Sequence, residues 1–427
     1  MFRGALVRLD CSVNISLYLA VFGGLSLIIA AFSASLRKWP VSEPMLGLLA
    51  GALLGPQVVG ALHAPEDSAS LLREAANLLL ALSVMGVALQ FPLRAIRAHT
   101  RSLLILLLVA MPLMAAISAG IGWAILGVPL VACALLGAAL CPTDPVLASN
   151  VVGGRFAERD VPQRTRQLLL LESGANDGLA LPLVLVAIAL TGVATVGSTA
   201  VESLWQLSGA VAVGVIAGWC GGKALRTGEK HGSTESGPML FFAVTLAVGI
   251  LGLSDLVHTD GVLAVFVGGL AFSFATTGQE REAEVRIDEA VNRFAVLPLF
   301  MLLGMSLPWQ DWKSLGVQGL LFAAAVLVLR RLPVILLLAK ALKLRLRDAV
   351  YLGWFGPIGV AALFYLLLID QRIGLDPELY AAGTLVIAVS TVVFGLTAAS
   401  GRVLYRRASG GAAEDSAVED KVMDREE

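Results

Sequence analysis

The stretch Cys141-Pro142-Thr143-Asp144-Pro145 sits inside the apolar run 129-151. A second polar stretch, Glu172-Ser173-Gly174-Ala175-Asn176-Asp177, sits inside the next run, 164-192. Both runs are long enough to cross a hydrocarbon core of roughly 30 Å. An ionisable side chain at that depth costs at least about 2.5 kcal/mol, so three carboxylates there mark a functional site. The two prolines interrupt the fifth apolar run, because proline has no N–H for the helix ladder and its ring clashes with the turn before it. The two stretches are read together as one ion site.

Outward from these stretches the composition is that of a membrane protein. Of 427 residues 57% are hydrophobic and 15% charged, where a soluble domain carries about a quarter charged. Mean hydropathy is +0.82. The net charge of -1 gives no field for nucleic acid. Cys11, Cys133, Cys141 and Cys220 have neither metal spacing nor a disulfide framework and read as small apolar fillers. Arg3 and Arg8 precede a long apolar run without a convincing small-residue cleavage site, so that run is kept as a span.

The expected fold is all-α and polytopic, with about thirteen transmembrane helices. They are placed at 12-34, 44-62, 71-91, 102-127, 129-151, 164-192, 200-224, 237-257, 259-277, 289-307, 314-342, 347-370 and 378-405. Most of the 31 Lys and Arg residues then fall on alternate loops, from Arg37 and Lys38 through Arg94, Arg97, Arg164 and Arg166 to Arg345 and Arg347. The C-terminal Arg402, Arg406 and Arg407 join them. Arg3, Arg8, Arg73, Lys313 and Arg372 lie on the other side, and Arg293, Arg330 and Arg331 fall inside spans. Positive loops stay in the cytoplasm, which puts the N-terminus outside and the C-terminus inside a cell membrane. The acidic stretch 408-427 is expected to be a disordered cytoplasmic tail. No nucleotide-binding loop is present, so transport by this chain is expected to run on ion gradients.

A second broken element, Gly353-Trp354-Phe355-Gly356-Pro357-Ile358-Gly359, lies in the twelfth run. Interrupted spans at matching positions of two halves point to an inverted-repeat transporter whose broken helices cross near the midplane. The matching triplets would be 102-192 and 314-405.

On a helix Ser173 and Asp177 lie one turn apart, as do Glu172 and Asn176. Their oxygens, with those of Thr143 and Asp144, are the donors a hard alkali cation needs. Burial disfavours a carboxylate's charge and a bound cation restores it, so a proton and a cation compete for such a group. That competition is the core of an exchanger. A buried charge needs a partner, and Glu172 is expected to pair with an arginine of the eleventh span, Arg330 ahead of Arg331; as an ion-pair strut or a direct ligand the two readings of Glu172 are even. Arg331 is expected to snorkel to the interface or reach toward Asp144. Asp255, His258 and Asp260 read as a solvated outer turn.

Over about residues 12 to 405 the sequence resembles the monovalent cation:proton antiporters, in the branch of NhaP-type sodium/proton exchangers. The resemblance rests on Thr143-Asp144-Pro145 and on Glu172-x-x-x-Asn176-Asp177. Weaker marks are Thr259-Asp260-Gly261-Val262-Leu263-Ala264-Val265, the arginine in Leu329-Arg330-Arg331-Leu332-Pro333, and the element 353-359. It implies a homodimer in which a core moves against dimerisation helices at about 12-91 and 200-307. It implies Asp177 as the cation and proton carrier, with Na+ held at Asp177, Glu172, Ser173 and Thr143 and with Asp144 beside it. Asn176 resembles the electroneutral branch, which implies one cation for one proton. Ile358 stands where many relatives carry an arginine.

The function expected is exchange of Na+ or Li+ for H+, without an enzyme activity or a cofactor beyond the transported ions, for pH homeostasis. K+/H+ exchange is the alternative. A remote alternative is an intramembrane hydrolase with Asp144 and Asp177 as an acid pair, which leaves the second broken span without a role. A passive channel is disfavoured by the need for a buried Glu172–arginine pair.

Overall fold

Within lipid every backbone polar group must be satisfied by the chain itself, so apolar runs become helices. The computed structural model describes residues 17–29, 31, 41–63, 67–91, 93–152, 154–231, 239–276 and 296–408, and all regular structure among them is helical. Arg293 and the tail from residue 409 lie outside the described residues.

Six helices are long and apolar enough to cross a membrane: Ser68–Gln90, Ile96–Leu126, Gln163–Leu190, Gly197–Gly228, Trp309–Leu338 and Pro377–Ala408. Shorter apolar helices are Leu17–Ile29 (α1), Glu43–Leu54 (α2), Leu130–Ala139, Phe242–Leu256, Gly261–Ala275 and Val296–Met305. In chain order α3 is Ser68–Gln90, α4 is Leu93–Ile105, α5 is Met111–Leu126 and α6 is Leu130–Ala139. The α4–α5 junction is a π turn at Leu106–Ala110, just before Pro112. Next come α7 (Pro145–Val152), α8 (Gly154–Asp160), α9 (Gln163–Leu190), α10 (Val196–Lys230), α11 (Met239–Leu256) and α12 (Gly261–Ala275). After α13 (Val296–Met305) follow α14 (Trp309–Leu329), α15 (Leu332–Leu338), α16 (Leu346–Trp354), α17 (Val360–Ile373) and α18 (Pro377–Ala408).

Three expected spans are pairs of helices. The run 129-151 is α6 and α7 around the Cys141–Asp144 break, and the run 347-370 is α16 and α17 around Phe355–Gly359. The run 314-342 is α14 and α15, broken at Arg330 and Arg331, with Pro333 starting the second helix. The expected span 44-62 is shorter, since α2 stops at Leu54 before Gly55-Pro56; a residue ahead of proline is driven out of helical geometry.

α9 is the axis of the site. Most of its middle is buried, including every residue from Leu168 to Gly178. α3 and α12 press on it where glycines leave room. A Cβ at Gly178 would lie 2.7 Å from Leu263 Cβ and 2.8 Å from the Leu263 backbone, and one at Gly174 would lie 2.9 Å from Val87 Cγ1 and 3.1 Å from a Phe266 ring carbon. By contrast α10 exposes Leu204, Trp205, Val215 and Ile216, an apolar face turned away from the core.

Candidate functional site

The two breaks cross each other. The Asp144 N–H donates to the Pro357 carbonyl at 2.9 Å, so the unwound segments are bonded chain to chain. Two helix N-termini, those of α7 and α17, converge there. The Asp144 carboxylate takes both: Oδ1 accepts from the Leu147 N–H at 2.9 Å and Oδ2 from the Val360 N–H. Helix N-termini carry unsatisfied N–H groups and partial positive charge, which an aspartate answers on both counts. A Cβ on Gly359 would stand 2.3 Å from Asp144 Oδ2, so only glycine admits this carboxylate.

The opposite ends of the broken helices meet Arg330. Its Nη1 donates to the carbonyls of Leu140, Cys141 and Pro142, at 3.2 Å for the last two, and Nη2 donates to the Gly356 carbonyl at 2.6 Å. These carbonyls lie at and just beyond the C-terminal ends of α6 and α16, where a cation is favoured. Asp144 and Arg330 therefore cap the crossing with opposite charges at opposite helix poles. This corrects one expectation: Arg330 does not pair with Glu172. Each Asp144 oxygen accepts one hydrogen bond from backbone.

Glu172 pairs with Arg331. Nη1 meets Oε1 and Nη2 meets Oε2, each at 2.6 Å, while Nε donates to the Leu352 carbonyl at 2.9 Å. Arg331 is 1% exposed, so it is no interfacial snorkeler. Consecutive residues project about 100° apart around a helix, so at this break one arginine reaches the crossing and its neighbour reaches α9. Both Glu172 oxygens accept from Arg331, so the pair ties α9 to the α14–α15 turn.

Three of the expected ligands form one network. Asn176 Nδ2 donates to Thr143 Oγ1 at 2.8 Å, the Thr143 N–H donates to Asn176 Oδ1 at 3.3 Å, and Thr143 Oγ1 shares a 3.0 Å hydrogen bond with Ser173 Oγ. The broken segment is thereby pinned to α9 beside the next residue, Asp177. Asp177 is fully buried and neither carboxylate oxygen has a hydrogen-bond partner. A bare carboxylate in that position is untenable; it requires a proton or a cation.

Several groups here were not read from the sequence. The Tyr365 hydroxyl of α17 donates to the Asp177 carbonyl. Pro182 lies inside α9 and has no N–H to give the Gly178 carbonyl one turn back, next to Asp177. A proline within a run otherwise read as helix was the available signal. Asp260, expected in a solvated turn, is buried at 6% exposure and caps α12 through the Leu263 N–H at 2.9 Å. Among the described residues no cluster of three or more His, Cys, Asp or Glu could hold a metal.

The chain is similar to several known proteins. Residues 24–400 match the family described as sodium/hydrogen exchanger, transmembrane. A Na(+)/H(+) antiporter 2 of Zygosaccharomyces rouxii is 30% identical over 340 residues, 76% of this chain and 42% of that protein. The K(+)/H(+) antiporter NhaP2 of Shewanella oneidensis is 25% identical over 232 residues, 54% of this chain and 39% of that protein. The chain thus spans less than half the length of such relatives. The sodium proton antiporter MjNhaP1 of Methanocaldococcus jannaschii has the same fold, with a TM-score of 0.73 and 18% identity over 92% of this chain and 98% of that one. A multi-pass membrane protein with two crossed helix breaks around a buried, unpartnered aspartate, matched over residues 24–400, this chain belongs to the sodium/hydrogen exchanger family.

Proposed function

We propose that this protein is a secondary antiporter that exchanges Na+ or Li+ for H+ across the cell membrane, with Asp177 as the carrier. The observation that carries this reading is the pair of unpartnered oxygens of Asp177 at full burial. Either ion neutralises the group, and each excludes the other. If only the neutralised site crosses between its two exposures, exchange is obligatory. Thr143, Ser173 and Asn176 link the crossing to α9 beside Asp177, the Glu172–Arg331 pair ties α9 to the α14–α15 turn, and Asp144 and Arg330 each bind backbone groups at one pole of the crossing.

In this reading the core is about 102-192 and 314-405, and it moves against helices at about 12-91 and 200-307 that also form a homodimer. The exposed apolar face of α10 is consistent with either lipid or a partner copy. The C-terminus lies in the cytoplasm and the N-terminus outside in this reading, which the excess of Lys and Arg on alternate loops supports. With Asn176 beside Asp177, one cation moves for one proton. K+ in place of Na+ is the second reading, favoured by the likeness to a K(+)/H(+) antiporter.

Proton flux in proteoliposomes, on adding Na+, Li+ or K+ in turn with the voltage clamped and then free, tests this. Na+- or Li+-driven flux that ignores voltage is expected. A response to K+ alone changes the substrate, voltage-sensitive flux overturns the one-for-one stoichiometry, and no cation-driven flux overturns the antiporter.

A further inference from the structure

Asp260 is the first residue ahead of α12, and one of its oxygens suffices to cap that helix. Oδ1 accepts from the Leu263 N–H, whereas Oδ2 is buried without any partner. A serine, threonine or asparagine would cap equally well without bringing a charge. The second oxygen is therefore unexplained by the cap.

Its position relates it to Asp177. α12 runs antiparallel to α9, with Leu263 against Gly178 and Phe266 against Gly174. Asp260 precedes Leu263 by three residues, so it stands about 4.5 Å further along the axis, toward the C-terminal end of α9. That is the end away from Arg164 and Arg166. On the α10 side the Asp260 N–H approaches the Gln206 carbonyl at 3.4 Å, and Ser203, three residues earlier on the same helix, has a buried hydroxyl without a partner. The other charged groups at this end are exposed or paired elsewhere: Asp255, in the last turn of α11, and His258, in the turn after it, are both exposed, Glu202 pairs with Arg372, and Arg73 with Glu74.

We infer that Asp260 is a second ion-binding carboxylate, about one helical turn from Asp177 on the side away from the basic loops, which passes the monovalent cation or proton to and from Asp177. The inference rests on the antiporter reading. It gives Asp260 Oδ2 the same role as the Asp177 oxygens, a place for an ion at low cost because no internal partner must be displaced.

The test is Na+-driven proton flux by the full chain in right-side-out and in everted vesicles, comparing wild type with Asp260→Asn. Asparagine keeps the capping oxygen and removes the charge. The KM for Na+ is expected to rise about tenfold when Na+ is offered on the face away from the basic loops, and to change little on the other face. An unchanged KM on both faces, or an equal rise on both, overturns the inference and leaves Asp260 as a cap. If Asp260→Asn does not accumulate in the membrane, Asp260→Ser, which also caps, is read in the same way. Asp260→Glu, which keeps the charge, is expected to recover part of the one-sided affinity. A wild type that exchanges no cation overturns the antiporter reading itself, and this inference falls with it.

Discussion

Arg331 and Glu172 close a two-pronged ion pair across 159 residues of chain, with both prongs at 2.6 Å and both side chains out of contact with solvent. The pair ties the turn between α14 and α15 to the helix that carries Asp177. It sits next to Arg330, which serves the helix crossing and not the glutamate.

Removing one member of a buried pair typically costs about 3–5 kcal/mol, because the survivor is left charged and bare. Arg331→Ala is therefore expected to lower the thermal midpoint in detergent more than Arg330→Ala, and Arg331→Ala with Glu172→Gln should recover part of the loss. Arg330→Ala proving the more damaging would show that the crossing, and not the pair, dominates stability.

Arg330 answers carbonyls on two separate segments, Leu140–Pro142 and Gly356. A lysine is a compact point charge without the planar fork that spans them. Arg330→Lys should thus leave a folded protein whose exchange rate falls by roughly tenfold or more, a loss of about 1.4 kcal/mol in the rate-limiting step. Wild-type flux from that variant would mean that charge alone suffices at the crossing.

Asp177→Asn keeps the shape of the carrier and removes its charge. The variant should reach the membrane in normal amount and lose both cation-driven proton flux and any rise in thermal midpoint with added Na+, since a ligand that no longer binds no longer stabilises. Persistent exchange would move the carrier elsewhere.

A Cβ at Gly356 would lie 2.1 Å from Arg331 Cδ and 2.6 Å from its Nε. Gly356→Ala should displace the guanidinium from Glu172 and lower the thermal midpoint toward that of Arg331→Ala. Gly120 in α5 has nothing within 4 Å of such an atom; Gly120→Ala should be neutral or stabilising by up to about 1 kcal/mol. Equal effects at both positions would argue against the steric account.

Tyr365→Phe removes one donor from the Asp177 backbone carbonyl and little else. About 1 kcal/mol of stability is at stake. Because the carbonyl belongs to the carrier residue, the KM for Na+ should shift severalfold with the fold intact. A stability change with an unaltered KM would reduce Tyr365 to a structural bond.

The apolar runs, the breaks at Pro142–Pro145 and Gly353–Gly359, and the polar residues Thr143, Ser173, Asn176 and Asp177 were all legible in the linear sequence. Each follows from local chemistry: hydrocarbon thickness sets run length, Gly and Pro interrupt a ladder, and a one-turn spacing puts side chains on neighbouring faces. Partner choice is another matter. Nothing local tells Arg330 from Arg331, since the choice depends on how the α14–α15 break is turned toward segments 26 and 159 residues away. That two helix N-termini converge on Asp144 is invisible in the sequence, and Asp260 looks like a solvated turn until α10 and α12 close around it. Burial and hydrogen-bond satisfaction are properties of surfaces brought together by folding, so the tertiary structure alone decides which buried carboxylates have partners and which have none.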